Sequence, residues 1–172
     1  MLFLFSCTTA PIQQSIQATS TVDHDVIIVG GGASGIATAK RLLELGVVPL
    51  IIEREENLGG AGLHAGRFFA VGTQLQQQQG IVDSVSLAQE QWFDFTGGET
   101  SEPILRFLEE SADTLHWLEE NGAVFDQVQM DIGAGSIPRI HKLSTNYRHP
   151  LAQWIEDLTA HSQTNTEVDR IE

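Results

Sequence analysis

The run Val26-Ile27-Ile28-Val29 is apolar at every position and rich in β-branched side chains. That pattern predicts a strand with both faces covered. It breaks into Gly30-Gly31-Gly32-Ala33-Ser34-Gly35, and residues 36–45 then combine Ala, Leu, Lys, Arg and Glu as a helix does. A second apolar run, 47–52, ends in Glu53 and predicts another buried strand. Farther along, apolar positions recur at helical spacing. Val85, Ala88, Trp92 and Phe95 mark a helix over 81–95. Glu102-Pro103 opens the next, carried by Ile104, Leu105, Leu108, Ala112, Leu115 and Trp117-Leu118 and stopped by Asn121-Gly122. Leu151, Trp154, Ile155 and Leu158 form the apolar stripe of a helix over 150–161, and residues 165–172 read as a strand. Strand, helix, strand in this order predicts an α/β fold on a parallel sheet.

The glycine stretch contains G-x-G-x-x-G at Gly30, Gly32 and Gly35. The three glycines do different things. Gly30 allows the tight turn out of the strand, Gly32 lets backbone approach a pyrophosphate, and Gly35 lets the helix pack close to the strand. The helix N-terminus adds unpaired N–H groups and a positive dipole end. Glu53, at the end of the second strand, suits the hydroxyls of a ribose and would repel a 2′-phosphate. The plainer reading is a glycine-rich turn with Glu53 solvated. The motif alone would not displace it, but strand, turn, helix, strand and acid in register do.

Charge narrows the partners. Nine Lys and Arg stand against twenty-three Asp and Glu, a formal net charge of −14. Nucleic acids and anionic membrane surfaces, which are bound through basic patches, are disfavoured. Residues 1–21 form a signal- or lipoprotein-like segment and linker, and 22–172 the dinucleotide-binding part. Leu4-Phe5-Ser6-Cys7 is similar to a lipobox, with Cys7 the lipidated residue and a route to membrane attachment. The segment is too short to span a bilayer and lacks a basic start. Lipidation places the protein in the periplasm or at the cell envelope; an unstructured N-terminus leaves it cytoplasmic. Cys7 is the only cysteine, which rules out an internal disulfide and a cysteine metal cluster. No metal site is expected. A dinucleotide fold needs more strands than this length supplies, so the expectation is the N-terminal portion of a longer protein.

Residues 55–72 hold five glycines and predict an irregular loop rather than an ordinary helix. Gly59, Gly60, Gly62 and Gly66 would let backbone lie against a flat ring or phosphate. Arg67 is placed to meet a pyrophosphate or a ring carbonyl, and His64 reads as a solvated loop residue. Trp92 and Trp117 read as packing residues, and Glu109-Glu110 and Glu119-Glu120 as solvated faces.

Taken together, Val29-Gly30-Gly31-Gly32-Ala33-Ser34-Gly35, Ile51-Ile52-Glu53-Arg54 and Leu58-Gly59-Gly60-Ala61-Gly62-Leu63-His64-Ala65-Gly66-Arg67 resemble the FAD-binding flavoprotein of the fumarate reductase/succinate dehydrogenase superfamily. This group includes soluble fumarate reductases, urocanate reductase-like enzymes and ketosteroid dehydrogenases. The likeness continues through Gly80-Ile81-Val82-Asp83-Ser84, Phe95-Thr96-Gly97-Gly98 and the helix from Ser111 to Ala123. It implies a Rossmann-like FAD-binding domain, cut off before the capping domain. It also implies an enzyme: a flavin-dependent oxidoreductase of fumarate-reductase type, passing hydride between flavin and an activated C=C bond. Its partners would be FAD, a small-molecule acceptor or donor and an electron-donor protein.

By the same resemblance Gly30, Gly32, Ala33, Ser34 and Gly35 hold the FAD pyrophosphate. Glu53 takes the adenosine ribose with Arg54 beside it. The loop through Gly60, Ala61, Gly62, Ala65 and Gly66 approaches the isoalloxazine. Arg139-Ile140-His141, within 133–141, is similar to a segment near the substrate side. The catalytic residues of the family lie farther along than this chain extends. Ala61 and Gly62 depart from the Asn or His, then Ser or Thr, found after Gly-Gly in many members. Alanine at the position near the covalent-linkage histidine implies non-covalent FAD. Two alternatives stay open: a degenerate, non-catalytic FAD-binding module, and a flavoprotein reductase that uses NADH.

Overall fold

The computed structural model describes residues 24–130, 137–162 and 168–170. Strand β1 (Ile27–Val29) leads through the glycine turn into helix α1 (Ala33–Glu44), which returns to strand β2 (Leu50–Glu53). The two strands pair in parallel, Ile27 with Leu50 and Val29 with Ile52. Strand β6 (Val168–Arg170) pairs in parallel with the far side of β2, giving the order β1-β2-β6. The expected strand at 165–172 is β6; residues 163–167 and 171–172 lie outside those described. Helix α1 starts at Ala33 rather than at residue 36, because Gly32 is its N-cap and the fingerprint's last residues form the first turn. Strand β2 starts at Leu50, since Val47 N–H closes the end of α1 on the Leu42 carbonyl and Pro49 has no N–H to give.

Among the described residues the two strands differ in cover. Ile27 is 57 % and Val29 82 % exposed, whereas Ile51 of β2 is buried. Among the described residues β1 pairs with β2 alone, and α1 packs on the face where Ile28 joins the core. That core is Ile36 and Ala39 of α1, Ile51 of β2, and Leu151, Trp154 and Leu158 of helix α5 (Pro150–Ser162). Burying each large aliphatic side chain contributes about 1.5–3 kcal/mol, so this seam between α1 and α5 fixes where the glycine turn sits.

Beyond β2 the chain makes a 3₁₀ turn, Gly60–His64, then strand β3 (Arg67–Phe69), short helix α2 (Gln74–Gln78), helix α3 (Val85–Phe95) and helix α4 (Glu102–Glu120). Strands β4 (Phe125–Gln129) and β5 (Ile140–Leu143) join β3 in a second, antiparallel sheet of order β3-β5-β4. The sequence predicts neither this sheet nor α2, and reads an irregular loop where β3 lies. Thr73 and Gln76 form a capping box that starts α2. Ser84 caps α3 by accepting the Leu87 N–H, which is why that helix begins at Val85 and not at residue 81. Helix α4 covers the antiparallel sheet through Leu115, against Ala70, Ala123 and Phe125. Trp117 packs on Trp154, ring centroids 5.2 Å apart, and Trp92 packs against the Val71, Ala88 and Leu108 cluster; both are packing residues. Glu109, Glu110, Glu119 and Glu120 are exposed.

Candidate functional site

The glycine turn is built by three separate constraints. Gly30 has φ +99°, a region open chiefly to glycine, and its N–H donates to the Ile52 carbonyl at 2.8 Å, extending the β1–β2 ladder by one residue. Gly35 sits where any side chain would collide: a Cβ there would lie 1.9 Å from the Gly30 carbonyl oxygen. Gly32 is the opposite case, since a Cβ on it would meet nothing within 4 Å. The open space lies over the N-terminus of α1. The first intrahelical N–H bond runs from Ile36 to the Gly32 carbonyl at 3.0 Å. The N–H groups of Ala33, Ser34 and Gly35 come ahead of it, at the positive end of the helix dipole. Ala33 and Ser34 are exposed.

Glu53 closes one side of this cradle. Its Oε2 accepts the Gly31 N–H at 2.6 Å, and its Oε1 accepts the Glu55 N–H at 2.8 Å. These bonds, from Glu55 first and Gly31 second, hold its carboxyl below the usual range and keep it ionised. Each carboxylate oxygen retains a second lone pair for a hydroxyl donor. Arg54 points away, paired with Glu55 at 2.9 Å on the surface.

The second glycine loop lies directly on the first. Gly59 N–H donates to the Gly31 carbonyl at 2.7 Å, and Gly32 and Gly59 form an isolated parallel bridge. Two of the loop's glycines are required by packing on the side where a side chain would lie. A Cβ on Gly59 would strike Leu63 at 2.6 Å, and one on Gly62 would strike Ala33 and Leu151 at 2.8 Å. At Gly62 that side meets α1 and α5. Gly66 has open space beside it, and Ala61, Ala65, His64 and Arg67 are exposed or half-buried rather than packed away. A mostly apolar cavity of about 280 Å³ opens between α1, α4, α5 and the antiparallel sheet, with Ser34, Ala65, Arg67 and His149 among its lining.

Arg139 and His141 form a site of their own. Both are buried. Arg139 makes a two-pronged ion pair with Asp83, at 2.8 and 2.7 Å, and donates to Gln91 at 2.7 Å. Gln76 donates to Asp83 at 2.9 Å and to the Pro138 carbonyl at 2.7 Å. His141 Nδ1 lies 3.0 Å from the Arg139 carbonyl, which only accepts, so Nδ1 carries the proton. Thr73 then donates its hydroxyl to Nε2 at 2.7 Å. Burial outweighs these contacts and holds the imidazole pKa below its ordinary value. For Asp83 burial pulls upward, but the bonds from Arg139 and Gln76 win and its pKa is lowered. This is a pinned structural network joining α2, α3 and β5. Residues 133–136 of the expected loop lie outside those described, as does Cys7.

A parallel β1-α1-β2 unit now holds a cradle with a side-chain-free floor, the N–H groups of a helix's first turn and an acid at the strand end. The FAD binding domain family matches residues 25–167 of the chain. The chain belongs to the FAD-binding domain family. Its cofactor is FAD, and the flavoproteins it resembles are oxidoreductases. The FAD-binding chain is 33 % identical over 122 residues to a fumarate reductase (cytochrome) of Shewanella frigidimarina, covering 69 % of this chain and 21 % of that protein. It is 32 % identical over 113 residues to the vinyl phenol reductase of Lactiplantibacillus plantarum, covering 65 % and 23 % respectively. It spans less than a quarter of either relative's length. The open conformation of a flavocytochrome c3 fumarate reductase superimposes with a TM-score of 0.66 at 24 % identity, over 84 % of this chain and 26 % of that one. A 3-ketosteroid-Δ4-(5α)-dehydrogenase from Rhodococcus jostii RHA1 gives 0.67 at 21 % identity, over 91 % and 40 %. These two likenesses show the same fold. The open space over Gly32 and the unpaired N–H groups of α1 fit the diphosphate of FAD on geometry alone.

His149 is the residue that sequence reasoning missed at this site. Its only sequence signal is a place directly before Pro150 at the start of α5.

Proposed function

We propose that this chain is the FAD-holding part of a flavin-dependent oxidoreductase that works on activated C=C bonds, as its fumarate reductase and vinyl phenol reductase relatives are named for. The observation that carries the reading is the cradle: an open floor at Gly32 above the free N–H groups of α1, with ionised Glu53 hydrogen-bonded to the same turn. In this reading Gly30, Gly32, Ala33, Ser34 and Gly35 hold the pyrophosphate. Glu53 accepts from the adenosine ribose, with Arg54 in the same strand-end turn. The loop of Gly60, Ala61, Gly62, Ala65 and Gly66 forms the wall beside it. Bound flavin supplies hydride transfer to or from the C=C bond. This chain's own residues bind and orient; the groups that touch substrate belong to other parts of the protein. An electron-donor protein is the expected partner. Lipidation at Cys7, and with it a place in the periplasm or at the envelope, rests on Leu4-Phe5-Ser6-Cys7 alone.

Ala61 carries no side chain able to bond a flavin, so the cofactor is held non-covalently. The test uses the full-length protein. It is expected to purify with FAD, to release it into the supernatant on acid precipitation, and to oxidise reduced viologen when offered fumarate or a vinyl phenol. Flavin left in the precipitate refutes non-covalent binding, and FMN in place of FAD refutes the role of Glu53. FAD without turnover on any activated alkene favours the non-catalytic module, the reading to which Ala61 and Gly62 lend weight.

A further inference from the structure

His149 ties two elements together with one neutral ring. Its Nε2 lies 2.7 Å from the Ala65 carbonyl oxygen, and its Nδ1 accepts the Leu151 N–H at 3.2 Å. A carbonyl only accepts, so the proton sits on Nε2, which leaves the Nδ1 lone pair for the helix. The imidazole is thus the N-terminal cap of α5 and, through its other nitrogen, a strut to the glycine loop. The post it stands on is rigid: Leu151, Trp154 and Leu158 are buried against Ile36 and Ala39, and Trp154 Nε1 donates to the Asn121 carbonyl at 2.9 Å.

The strut sets which way one peptide faces. In a planar trans peptide the carbonyl and the following N–H point in opposite directions. Drawing the Ala65 carbonyl onto His149 turns the Gly66 N–H away from α5. That N–H finds no acceptor among the described residues, while the Gly66 carbonyl is held by the Leu143 N–H at 2.9 Å. Gly66 also has no neighbour where a side chain would lie. The loop is continuous with the cradle wall, since Gly59 is bonded to Gly31 and a Cβ on Gly62 would strike Ala33.

We propose that His149 is a positioning residue: its Nε2–H fixes the Ala65–Gly66 peptide so that the Gly66 N–H is presented to an acceptor atom of bound FAD. The inference rests on the FAD-binding reading above. It makes the two nitrogens of one ring separable, because Asn places a polar group near the Nδ1 position and Gln near Nε2. His149→Asn keeps the helix cap and loses the strut; His149→Gln keeps the strut and loses the cap.

The experiment measures FAD affinity of the full-length apoprotein by flavin fluorescence, and the apoprotein melting temperature beside it. His149→Asn is expected to melt near wild type and to bind FAD about tenfold more weakly, ~1.4 kcal/mol. His149→Gln is expected to melt lower and to hold FAD near the wild-type constant. Wild-type affinity in His149→Asn overturns the proposal, as does affinity that follows melting temperature across the two variants. If His149→Gln does not fold, His149→Asn decides by itself. Wild-type apoprotein that takes up no FAD fails differently: it removes the binding reading and this inference with it.

Discussion

Gly35→Ala and Gly32→Val separate folding from binding within one turn. The added methyl at Gly35 would lie 1.9 Å from the Gly30 carbonyl oxygen, 3.1 Å from its carbon and 3.3 Å from Ile28 Cγ2. The first of these is far inside any normal contact, and its partner is backbone, so α1 must shift against β1. Overpacking of this kind costs about 1–3 kcal/mol. Replacing glycine inside a helix returns roughly 0.5–1 kcal/mol, so the net loss lies between about 0 and 2.5 kcal/mol, in the upper part of that range because the clash is with backbone. Out of a total of roughly 5–15 kcal/mol that is a measurable drop. At Gly32 a Cβ meets nothing, and its φ of −75° is open to any residue. Gly32→Val should leave the melting transition close to that of wild type and abolish FAD uptake, because its side chain fills the space above the α1 N–H groups. Urea melts followed by circular dichroism, with FAD titration by fluorescence quenching, read both effects. A Gly35→Ala protein as stable as wild type would refute the close helix–strand contact. A Gly32→Val protein that still binds FAD would refute the placement of the cradle.

The buried pair gives a second test. Arg139 and Asp83 side chains are 4 % and 0 % exposed, and removing one partner leaves an unpaired buried charge at a cost of about 3–5 kcal/mol. Arg139→Met should lower the urea midpoint steeply, and Arg139→Met with Asp83→Leu should recover part of the loss; full additivity would show that the two groups do not act as a pair. The pH profile follows from the same network. His141 is held below its ordinary 6.5, chiefly by burial, so the unfolded chain takes up protons first. The stability His141 contributes is therefore complete above that value and falls as the pH drops toward the lowered native one. Asp83, lowered from 3.8, adds a second loss as the pH falls through its native value. A urea midpoint that stays flat from about pH 7 to about pH 5 would contradict the buried neutral imidazole.

The β1-α1-β2 unit was legible in the sequence because its signals are local. A β-branched run, glycines at fixed offsets and an acid at a strand end each report on a few neighbouring residues, and the period changes from strand to helix within them. Helices α3, α4 and α5 were legible for the same reason, from apolar spacing and the stops at Asn121-Gly122 and before Pro150. The antiparallel sheet was not. Its strands are short, β3 begins inside a glycine loop, and it pairs with the distant β5, Arg67 with Lys142. Only tertiary pairing decides such an assignment. The same holds for side-chain direction. Arg139 and His141 are a polar pair in sequence, yet they are buried because Asp83, Gln76 and Thr73 come from distant segments to satisfy them. Gly62 and Gly35 are both glycines near a candidate cradle. What each one is for depends on which atom stands where its Cβ would go, Leu151 and Ala33 in one case and the Gly30 carbonyl in the other. A residue's type fixes what it can do, and the packing of remote elements around it fixes which of those things it does.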